Sequence, residues 1–489
     1  MAESRPTGIM LVAPSTVAAG EQFTLGVKVL TEPYVAASAC TRTYPNLHSP
    51  FNVSPRGIVY MDNAAVRWDG SLTIDGPDDL SGPRRISVAS LPGGFADDNR
   101  AIGRIGPFSF ANPGTRTITA GLPDVGVDAS SNVIEVSHAG PQWRLFWGDL
   151  HSQSIFSDGI RCPDELYPFA RDEAFLDIFA MADHSDALKG AIWDYMVQAT
   201  NLYNDPGRFI TLVGFEWTAN HIGHRNVYFP GDSGPVLSDR RPEGDTLDKL
   251  FDFAAREGAL LIPHHSANSV MGVQWELGHE PVHERLVEIY SIWGNSERPE
   301  RDGNPRPIRV TGGEQDGRHV LDALNMGRQL GFVGGGDIHD GRPGDELHNL
   351  QTMPAVYRDL HRQGIMGVWM PELTRGALWE ALWNRRCYAT TNARIILRFA
   401  VCGAFMGQRV LAHGPRSVHV EASSELPIAR IDIVKNGLDW KTVAPGTPQA
   451  AQTFTDTADS SSDYYYARVT RLDGEMAWSS PVWVDSPNA

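Results

Sequence analysis

The sequence predicts an α/β unit flanked by two β-rich units, and three observations support this division. Residues 8–140 alternate short apolar runs with Gly, Pro, Asn and Asp, which is typical of strands and turns. From Trp143 onward amphipathic helical stretches alternate with apolar strands, and beyond residue 398 the chain returns to strands. We therefore expect an N-terminal β-sandwich over residues 1–142, a β/α unit over residues 143–398 and a C-terminal, Ig-like β-sandwich over residues 399–489.

Composition limits the function classes. The 489 residues suit about three domains. Lys+Arg 42 against Asp+Glu 59 gives a net charge of −17, which argues against nucleic-acid binding because phosphate neutralisation needs clustered basic residues. No apolar run approaches the ~20 residues of a membrane-spanning helix, and the N-terminus lacks the pattern of a signal peptide. We expect a soluble, cytoplasmic protein that acts on a small molecule.

The cysteines add no constraint on the fold. Cys40, Cys162, Cys387 and Cys402 are widely separated and form no CxxC pair. This spacing predicts ordinary buried thiols rather than a disulfide framework or a zinc cluster.

The N-terminal region reads as strands joined by turns. Two strands around a turn are predicted in GIMLVAPSTVAAGEQFTLGVKVL, and further strands in RISVASL, TRTITAGL and SNVIEVSH. Few His or carboxylate residues cluster here, which favours a packing or substrate-shaping module.

The central region repeats a helix-and-strand pattern. Helices are predicted in PDELYPFARDEAF, AIWDYMVQATNLYND, TLDKLFDFAAREG, HVLDALNMGRQ and LTRGALWEALWNRR, and strands in RLFWGDLH, LDIFAMADH, FITLVGFEW, ALLIPHH, GFVGGGDIHD and RIILRFAV. Successive units of this kind indicate parallel strands in a barrel or an open sheet. The last region has strands in SVHVEAS, ARIDIVKNG, DYYYARVTR and SSPVWV, with a hairpin predicted at LDG.

Polar residues follow strand after strand of the central region. They are Asp149, His151, Gln153, Asp158, Asp183, His184, Glu216, His221, His224, His264, His265, Asp337 and His339. The carboxyl ends of parallel strands converge on one face, where imidazoles and carboxylates hold zinc, manganese or iron. A single Asp-His at a strand end is more often a helix cap or a satisfied polar pair. Five such strand ends in one unit favour a metal centre.

Six motifs resemble, in their order along the chain, the PHP (polymerase and histidinol phosphatase) superfamily over about residues 144–398. They are DLHSQSIFSDG, FAMADHSD, GFEW, GHRN, IPHH and GGDIHD. The closing YYYARVTRLDGEMAWSSPVWV resembles the tail of a little-characterised PHP-like branch with flanking β domains. The resemblance implies a distorted seven-stranded β/α barrel, up to three divalent metal ions, and hydrolysis of phosphate esters by metal-bound hydroxide.

The resemblance also implies a ligand set. One metal would use His151, Glu216 and Asp337; a second Glu216, His224 and His264; and a third Asp158, His184 and His339. It makes Glu216, His224 and Asp337 the catalytic set, with Glu216 bridging two ions and Asp337 accepting a proton. His264 matches the family position because it directly follows the strand, and His265 is left as a substrate contact. Arg225 and Arg342 are candidates to bind an anionic group of the substrate, or alternatively form surface salt bridges.

Gln153 departs from the family pattern, which has histidine there. An amide oxygen is a poor replacement for imidazole on zinc or iron, so we expect a weak first position and fewer than three tightly held ions. The alternatives are a metal-dependent hydrolase of a carbon-centred ester or amide, and a non-catalytic ligand-binding protein whose barrel is degenerate at Gln153.

Two further motifs are expected to be accidental. HEPVH, at residues 279–283, matches the zinc-protease HExxH, but that motif works on a helix and Pro281 interrupts one. GDSGP around Ser233 echoes a serine-protease loop, yet these are the ordinary residues of a tight turn.

Overall fold

A computed structural model describes residues 5–31, 34–37, 59–62, 68–93, 101–159, 161–339, 341–344, 361–457 and 462–486. Strands dominate these ranges, and the longest helix has 12 residues. Within the same ranges, no helix combines the length and apolar content needed to cross a lipid bilayer. The protein is therefore richer in strands than the predicted helix-and-strand alternation indicated.

The N-terminal region consists of short strands in several sheets. They are β1 (Pro6–Val12), β2 (Thr16–Ala18), β3 (Phe23–Thr31), β4 (Tyr34–Ala37), β5 (Val59–Asp62), β6 (Ser71–Asp75), β7 (Leu80–Ser81), β8 (Arg85–Ser87), β9 (Ile102–Phe110), β10 (Gly114–Arg116), β11 (Thr119–Leu122), β12 (Val127–Ser130) and β13 (Ile134–Ser137). The strand orders are β1-β3-β9-β7, β10-β13-β2 and β12-β11-β6-β8, with β4 pairing β5. The strands predicted in this region are present with three differences. A third short strand, β2, lies between the two predicted in the first stretch, and TRTITAGL is divided between β10 and β11. RISVASL forms three strand residues followed by a 3₁₀ turn at Val88–Ser90.

One side chain from the central region completes the N-terminal hydrophobic core. Phe175 is buried among the residues of this core and has a left-handed φ of +54°. A Cβ atom on Gly26 would lie 2.4 Å from the Phe175 ring. Strand β3 therefore requires glycine at position 26, because only glycine leaves space for the ring.

The central region carries the helices. Its elements are β14 (Arg144–Asp149), α1 (Pro163–Pro168), β15 (Ile178–Phe179), α2 (Ala191–Leu202), β16 (Ile210–Thr211), β17 (Gly214–Trp217), β18 (Arg225–Tyr228), α3 (Leu247–Glu257), β19 (Leu260–Pro263), β20 (Leu286–Ser291), β21 (Gly294–Asn295), α4 (Val320–Asn325), β22 (Gly331–Gly334), β23 (Ile365–Met370), α5 (Arg375–Trp383), β24 (Cys387–Thr390) and β25 (Ile396–Val401). Helix α3 shows the local logic: the Thr246 side chain caps its N-terminus, and Gly258 at φ +65° ends it.

The strand directions agree only in part with the predicted parallel sheet. Strands β14, β15 and β16 are parallel neighbours, and β20 is parallel to β22. Strands β17, β18 and β19 are antiparallel. For β17 and β18 the reason is length, because residues 218–224 are shorter than the dozen or so residues that a parallel crossover needs. Pairing among the described residues does not close these strands into one barrel.

The C-terminal strands continue the central sheet. They are β26 (Ala404–Phe405), β27 (Arg409–Leu411), β28 (Arg416–Lys435), β29 (Leu438–Val443), β30 (Thr447–Asp456), β31 (Ser462–Arg471), β32 (Met476–Ser479) and β33 (Val482–Asp485). Strand β24 pairs with β32, which places both regions in one 14-stranded sheet. The two strands predicted in SVHVEAS and ARIDIVKNG form a single strand, β28, with an irregular register between Ser423 and Ile428. The predicted LDG hairpin is confirmed between β31 and β32.

The cysteines within the described ranges are free thiols. Cys387 is buried, whereas Cys162 and Cys402 are half-buried. Cys40 lies outside the described residues.

Candidate metal centre

Four chain segments meet beyond the ends of the central strands. Isolated parallel bridges join Ser152 to Ile338 and His184 to Glu216. The Ala182 amide also donates to the Ser152 carbonyl at 3.0 Å. Four segments therefore lie side by side and extend the strand pairing beyond the strand ends: 337–339, 151–153, 182–184 and the end of β17. This array gathers the strand-end polar residues into one buried cluster.

Glu216 lies at the centre of the cluster and is almost completely buried. Its Oε1 is 2.7 Å from His224 Nδ1, and its Oε2 accepts a hydrogen bond from the Gln153 amide at 2.7 Å. Neighbouring histidines hold the pKa of Glu216 well below its usual range, against burial that would raise it. Three further imidazoles lie 3.4–3.5 Å from the carboxylate oxygens: His151, His184 and His264.

Three sets of side chains bring ligand atoms within 4.8 Å of one another. These sets are His224, His264 and His265; His151, His264 and Asp337; and Asp158, His184 and His339. Eight of the nine ligand positions implied by the family resemblance thus lie in or beside these sets, with Glu216 between them. The ninth, Gln153, contacts Glu216 as a donor.

The set around Asp158 combines one carboxylate with two imidazoles. Asp158 Oδ2 is 3.2 Å from His184 Nε2, and Oδ1 is 3.3 Å from His339 Nε2. Burial would raise the pKa of Asp158, but the two histidines lower it well below its usual range. The carboxylate is therefore ionised across the physiological range and available to a cation.

The set around His151 combines two imidazoles with the carboxyl group of Asp337. His151 Nε2 is 3.4 Å from Asp337 Oδ1, and burial raises the pKa of Asp337 to about 7. Against its own burial, the carboxylates of Asp337 and Glu288 raise the pKa of His151 well above its ordinary value. The charges of these buried groups therefore depend strongly on one another.

Buried ligand atoms without hydrogen bonds fit a cation. Both ring nitrogens of His264 and Oδ2 of Asp337 are buried and make no hydrogen bond with any described residue. Burial lowers the pKa of His264 to about 3, so its ring is neutral and keeps a lone pair. Buried polar atoms are normally paired, and neutral imidazole with carboxylate is a donor set that divalent transition metals accept. The residues present therefore fit a divalent metal centre.

Two residues of the cluster have left-handed backbones. Asp337 has φ +48° and His265 has φ +32°. Such conformations cost a non-glycine residue about 1–3 kcal/mol and are concentrated at functional sites.

Glu288 belongs to the site although the sequence did not indicate it. Its Oε2 lies 3.0 Å from His151 Nδ1, inside the apolar strand β20. A Cβ atom on Gly335 would lie 2.1 Å from that oxygen, which explains a glycine before Asp337. The sequence feature that could have indicated Glu288 is a single acidic residue within an otherwise largely apolar strand.

Asp149 and Asp183 organise the loops. Asp149 Oδ1 accepts hydrogen bonds from the amides of His151 and Gly336 at 2.9 and 2.8 Å. Asp183 Oδ1 accepts from the Ser154 amide at 2.9 Å. Burial raises the pKa of both carboxyls, that of Asp149 to about 7.

The predicted anion-binding residues fall in different places. Arg225 is fully buried, and its Nε donates to Glu284 at 3.2 Å while its Nη1 donates to the Gly223 carbonyl at 2.8 Å. Because its guanidinium is held in this pair, we do not carry Arg225 into a substrate site. Arg342 is buried three residues beyond His339, and its carbonyl accepts from Gln363 at 2.9 Å. His265 packs against His264 and His224.

Neither accidental motif forms a catalytic site. Residues 281–283 of HEPVH form a turn rather than a helix, and His283 Nδ1 donates to the Ala259 carbonyl at 2.8 Å. Ser233 is exposed and contacts its neighbour Asp232 at 3.3 Å.

Comparisons with known proteins found one matching family model and similar proteins of Chlamydia. The family described as protein of unknown function DUF3604 matches residues 163–297 and 336–419. An uncharacterized protein of Chlamydia muridarum is 30% identical over 365 residues, covering 70% of this chain and 58% of the relative. One from Chlamydia pneumoniae is 29% identical over 364 residues, covering 70% and 57%. The chain thus spans little more than half the length of these relatives.

A solved structure was also found to be similar. It is a two-domain protein from Bacteroides vulgatus described as containing a predicted PHP-like metal-dependent phosphoesterase. The two chains share 15% sequence identity with a TM-score of 0.35, and the match covers 70% of this chain and 96% of that one.

Proposed function

We propose that this protein is a metal-dependent hydrolase of the PHP type that acts on a small phosphate ester. The observation that supports the proposal is the convergence of three ligand sets around one buried carboxylate, Glu216. We also propose that residues 143–398 form the catalytic unit, a distorted β/α barrel whose strand pairing is incomplete, between β-sandwiches over residues 1–142 and 399–489, the second of which continues its sheet. All the proposed ligands come from that unit.

In this proposal Glu216 is the shared ligand, with His224 and His264 on one side and His151 with Asp337 on the other. Asp158, His184 and His339 would hold a separate ion. Zinc, manganese or iron would lower the pKa of a coordinated water and neutralise charge on the substrate oxygens.

The chain's own groups have distinct tasks. Gln153 and His224 hold the Glu216 carboxylate in one orientation through contacts of 2.7 Å on its two oxygens. Asp337 lies 3.4 Å from His151 Nε2 and is the candidate to accept a proton once substrate is bound. Arg342 is the remaining candidate to pair with an anionic substrate group, a role that suits a guanidinium.

The experiment is metal analysis combined with turnover of an aryl phosphate and of an aryl carboxylic ester. We expect bound metal and phosphate-ester hydrolysis in the wild type, and loss of both in Glu216→Gln. Glu276→Gln, an exposed acid, is the matched control. Turnover of the carboxylic ester alone would indicate the carbon-centred alternative. Bound metal without turnover of either ester would favour a binding protein, and full activity with unchanged metal in Glu216→Gln would refute the centre.

A further inference from the structure

Two consecutive histidines follow strand β19, and both rings point into the same cluster. His264 and His265 are buried, with their ring centroids 4.4 Å apart. The His224 ring lies 5.6 Å from the first and 4.9 Å from the second. Three imidazoles therefore surround one volume beside Glu216.

This arrangement needs an unusual backbone. In an extended chain, successive side chains point to opposite sides, so His265 would face away from His264. The left-handed φ of +32° at His265 breaks that alternation and turns both rings toward His224. Histidine adopts this conformation at a cost of about 1–3 kcal/mol, which implies a compensating interaction of the ring.

The protein supplies ring packing for His265, against His224, His264 and Trp293, but these contacts do not satisfy its buried ring nitrogen. His265 Nδ1 is buried and has no hydrogen-bond partner among the described residues, and the same holds for both nitrogens of His264. One ring nitrogen from each of His224, His264 and His265 lies within 4.8 Å of the other two. The His224 ring already contacts Glu216 Oε1 at 2.7 Å and Asn220 Oδ1 at 2.6 Å through its two nitrogens, so it would exchange one of these contacts for the ion. Buried imidazoles that converge in this way, two of them with unpaired nitrogens, are suited to a cation.

We propose that His265 is a third imidazole ligand, so that His224, His264 and His265 form an all-histidine position for zinc or a similar borderline cation. The inference rests on the proposed metal centre and refines it. Imidazoles favour zinc, iron and copper, whereas carboxylates favour manganese and magnesium. The centre thus contains a nitrogen-rich position beside Glu216 and a chemically different position at Asp158, His184 and His339.

The test compares zinc affinity, measured by equilibrium dialysis against a competing chelator, in the wild type and in His265→Asn. Asparagine tolerates the left-handed φ, so the backbone remains feasible. We expect the tightest zinc site to weaken at least about tenfold, since even indirect partners of metal ligands are worth that much. The visible spectrum of the Co²⁺-substituted protein should change as well. His283→Asn, which removes a buried histidine outside the cluster, should alter neither.

Each outcome decides one statement. A folded His265→Asn protein with wild-type zinc affinity and an unchanged Co²⁺ spectrum would overturn the inference and leave the proposed function intact. A wild-type protein that binds none of zinc, cobalt, manganese and iron would overturn the proposed function itself. Should the variant not fold, anomalous diffraction from zinc-soaked wild-type crystals tests the same point. We expect a His265 nitrogen about 2.1 Å from zinc, and a zinc ion held by His224 and His264 without His265 would refute the inference.

Discussion

The side-chain amide of Gln153 donates a hydrogen bond to Oε2 of Glu216 at 2.7 Å, while its carbonyl oxygen accepts one from the Ser157 hydroxyl at 2.9 Å. The amide therefore presents its donor, not its oxygen, to the centre. Because the family pattern has histidine at this position, the sequence predicted that Gln153 would be a weak metal ligand. The geometry gives Gln153 a different task, which is to orient the carboxylate that the surrounding imidazoles share.

Gln153→Glu should make the centre depend on cations. The change replaces a donor by a second carboxylate beside Glu216, so the metal-free protein should lose about 2 kcal/mol, the order of a hydrogen bond to a charged group. Added zinc or manganese should raise the Tm of the variant more than that of the wild type. Thermal unfolding with chelator and with metal measures both effects. Gln449→Glu is the exposed control, and identical behaviour of the two variants would contradict the prediction.

Glu288→Gln should weaken metal binding without abolishing the fold. The His151 ring keeps a neighbour of similar shape but loses the carboxylate that fixes its orientation, an effect worth about 10–100-fold in metal affinity. Isothermal titration with Zn²⁺ measures the change, with Glu276→Gln as control. Unchanged affinity would show that His151 is not a ligand or needs no positioning.

Glu280→Gln should leave hydrolysis within about threefold of the wild type. The hydrogen bonds of this carboxylate among the described residues are to backbone amides of its own turn, including that of Val282 at 3.3 Å. A zinc protease using HEPVH would lose at least ~10²-fold on the same change. Steady-state rates on the aryl phosphate, checked against circular dichroism, distinguish these cases. A large loss in a folded protein would revive the protease interpretation.

Glu284→Gln should destabilise the fold by about 3 kcal/mol at neutral pH, since it leaves Arg225 charged and buried. Arg225 leads the charges that hold the pKa of Glu284 below its ordinary value of 4.5, against burial that would raise it. The stabilisation by this carboxylate is therefore complete above about pH 4.5 and is lost as the pH falls through the lowered pKa. Urea unfolding at several pH values should show the difference between variant and wild type shrinking in acid. A difference in the free energy of unfolding that does not change with pH would be evidence against the ion pair.

Gly26→Ala should destabilise the protein by about 1–3 kcal/mol, because the new methyl group collides with the Phe175 ring. Gly376→Ala is the matched control: it lies exposed in α5 with open space around its Cβ position, and should stabilise by about 0.5–1 kcal/mol. Chemical denaturation measures both. Equal effects of the two changes would mean that the core accommodates the clash.

The sequence predicted which side chains lie together because they stand at strand ends, where local pattern and position coincide. That they bind metal stays a prediction. His151, Glu216 and Asp337 each follow or end an apolar run, so periodicity alone marks them. Whether neighbouring strands pair in parallel or antiparallel could not be predicted from periodicity. The antiparallel β17 and β18 depend on how a short connection folds back, and the apolar runs of parallel and antiparallel buried strands look alike.

Long-range partners were the other gap. Arg225 lies beside His224 in sequence, which suggested a substrate contact, but its partner Glu284 is 59 residues away. Glu288 reaches His151 across 137 residues from the middle of an apolar strand. Such pairs arise from the tertiary fold, and no local sequence motif predicts them.

The hydrogen bonds between β24 and β32 have a practical consequence for anyone who wants to produce the proposed catalytic unit alone. A chain cut after residue 398 would expose the backbone of Cys387–Thr390 as an open sheet edge, because β32 lies in the removed part. Open edges with apolar side chains recruit other chains. A truncated protein designed on domain boundaries is therefore expected to self-associate, and the last ninety or so residues serve as a cover for that edge.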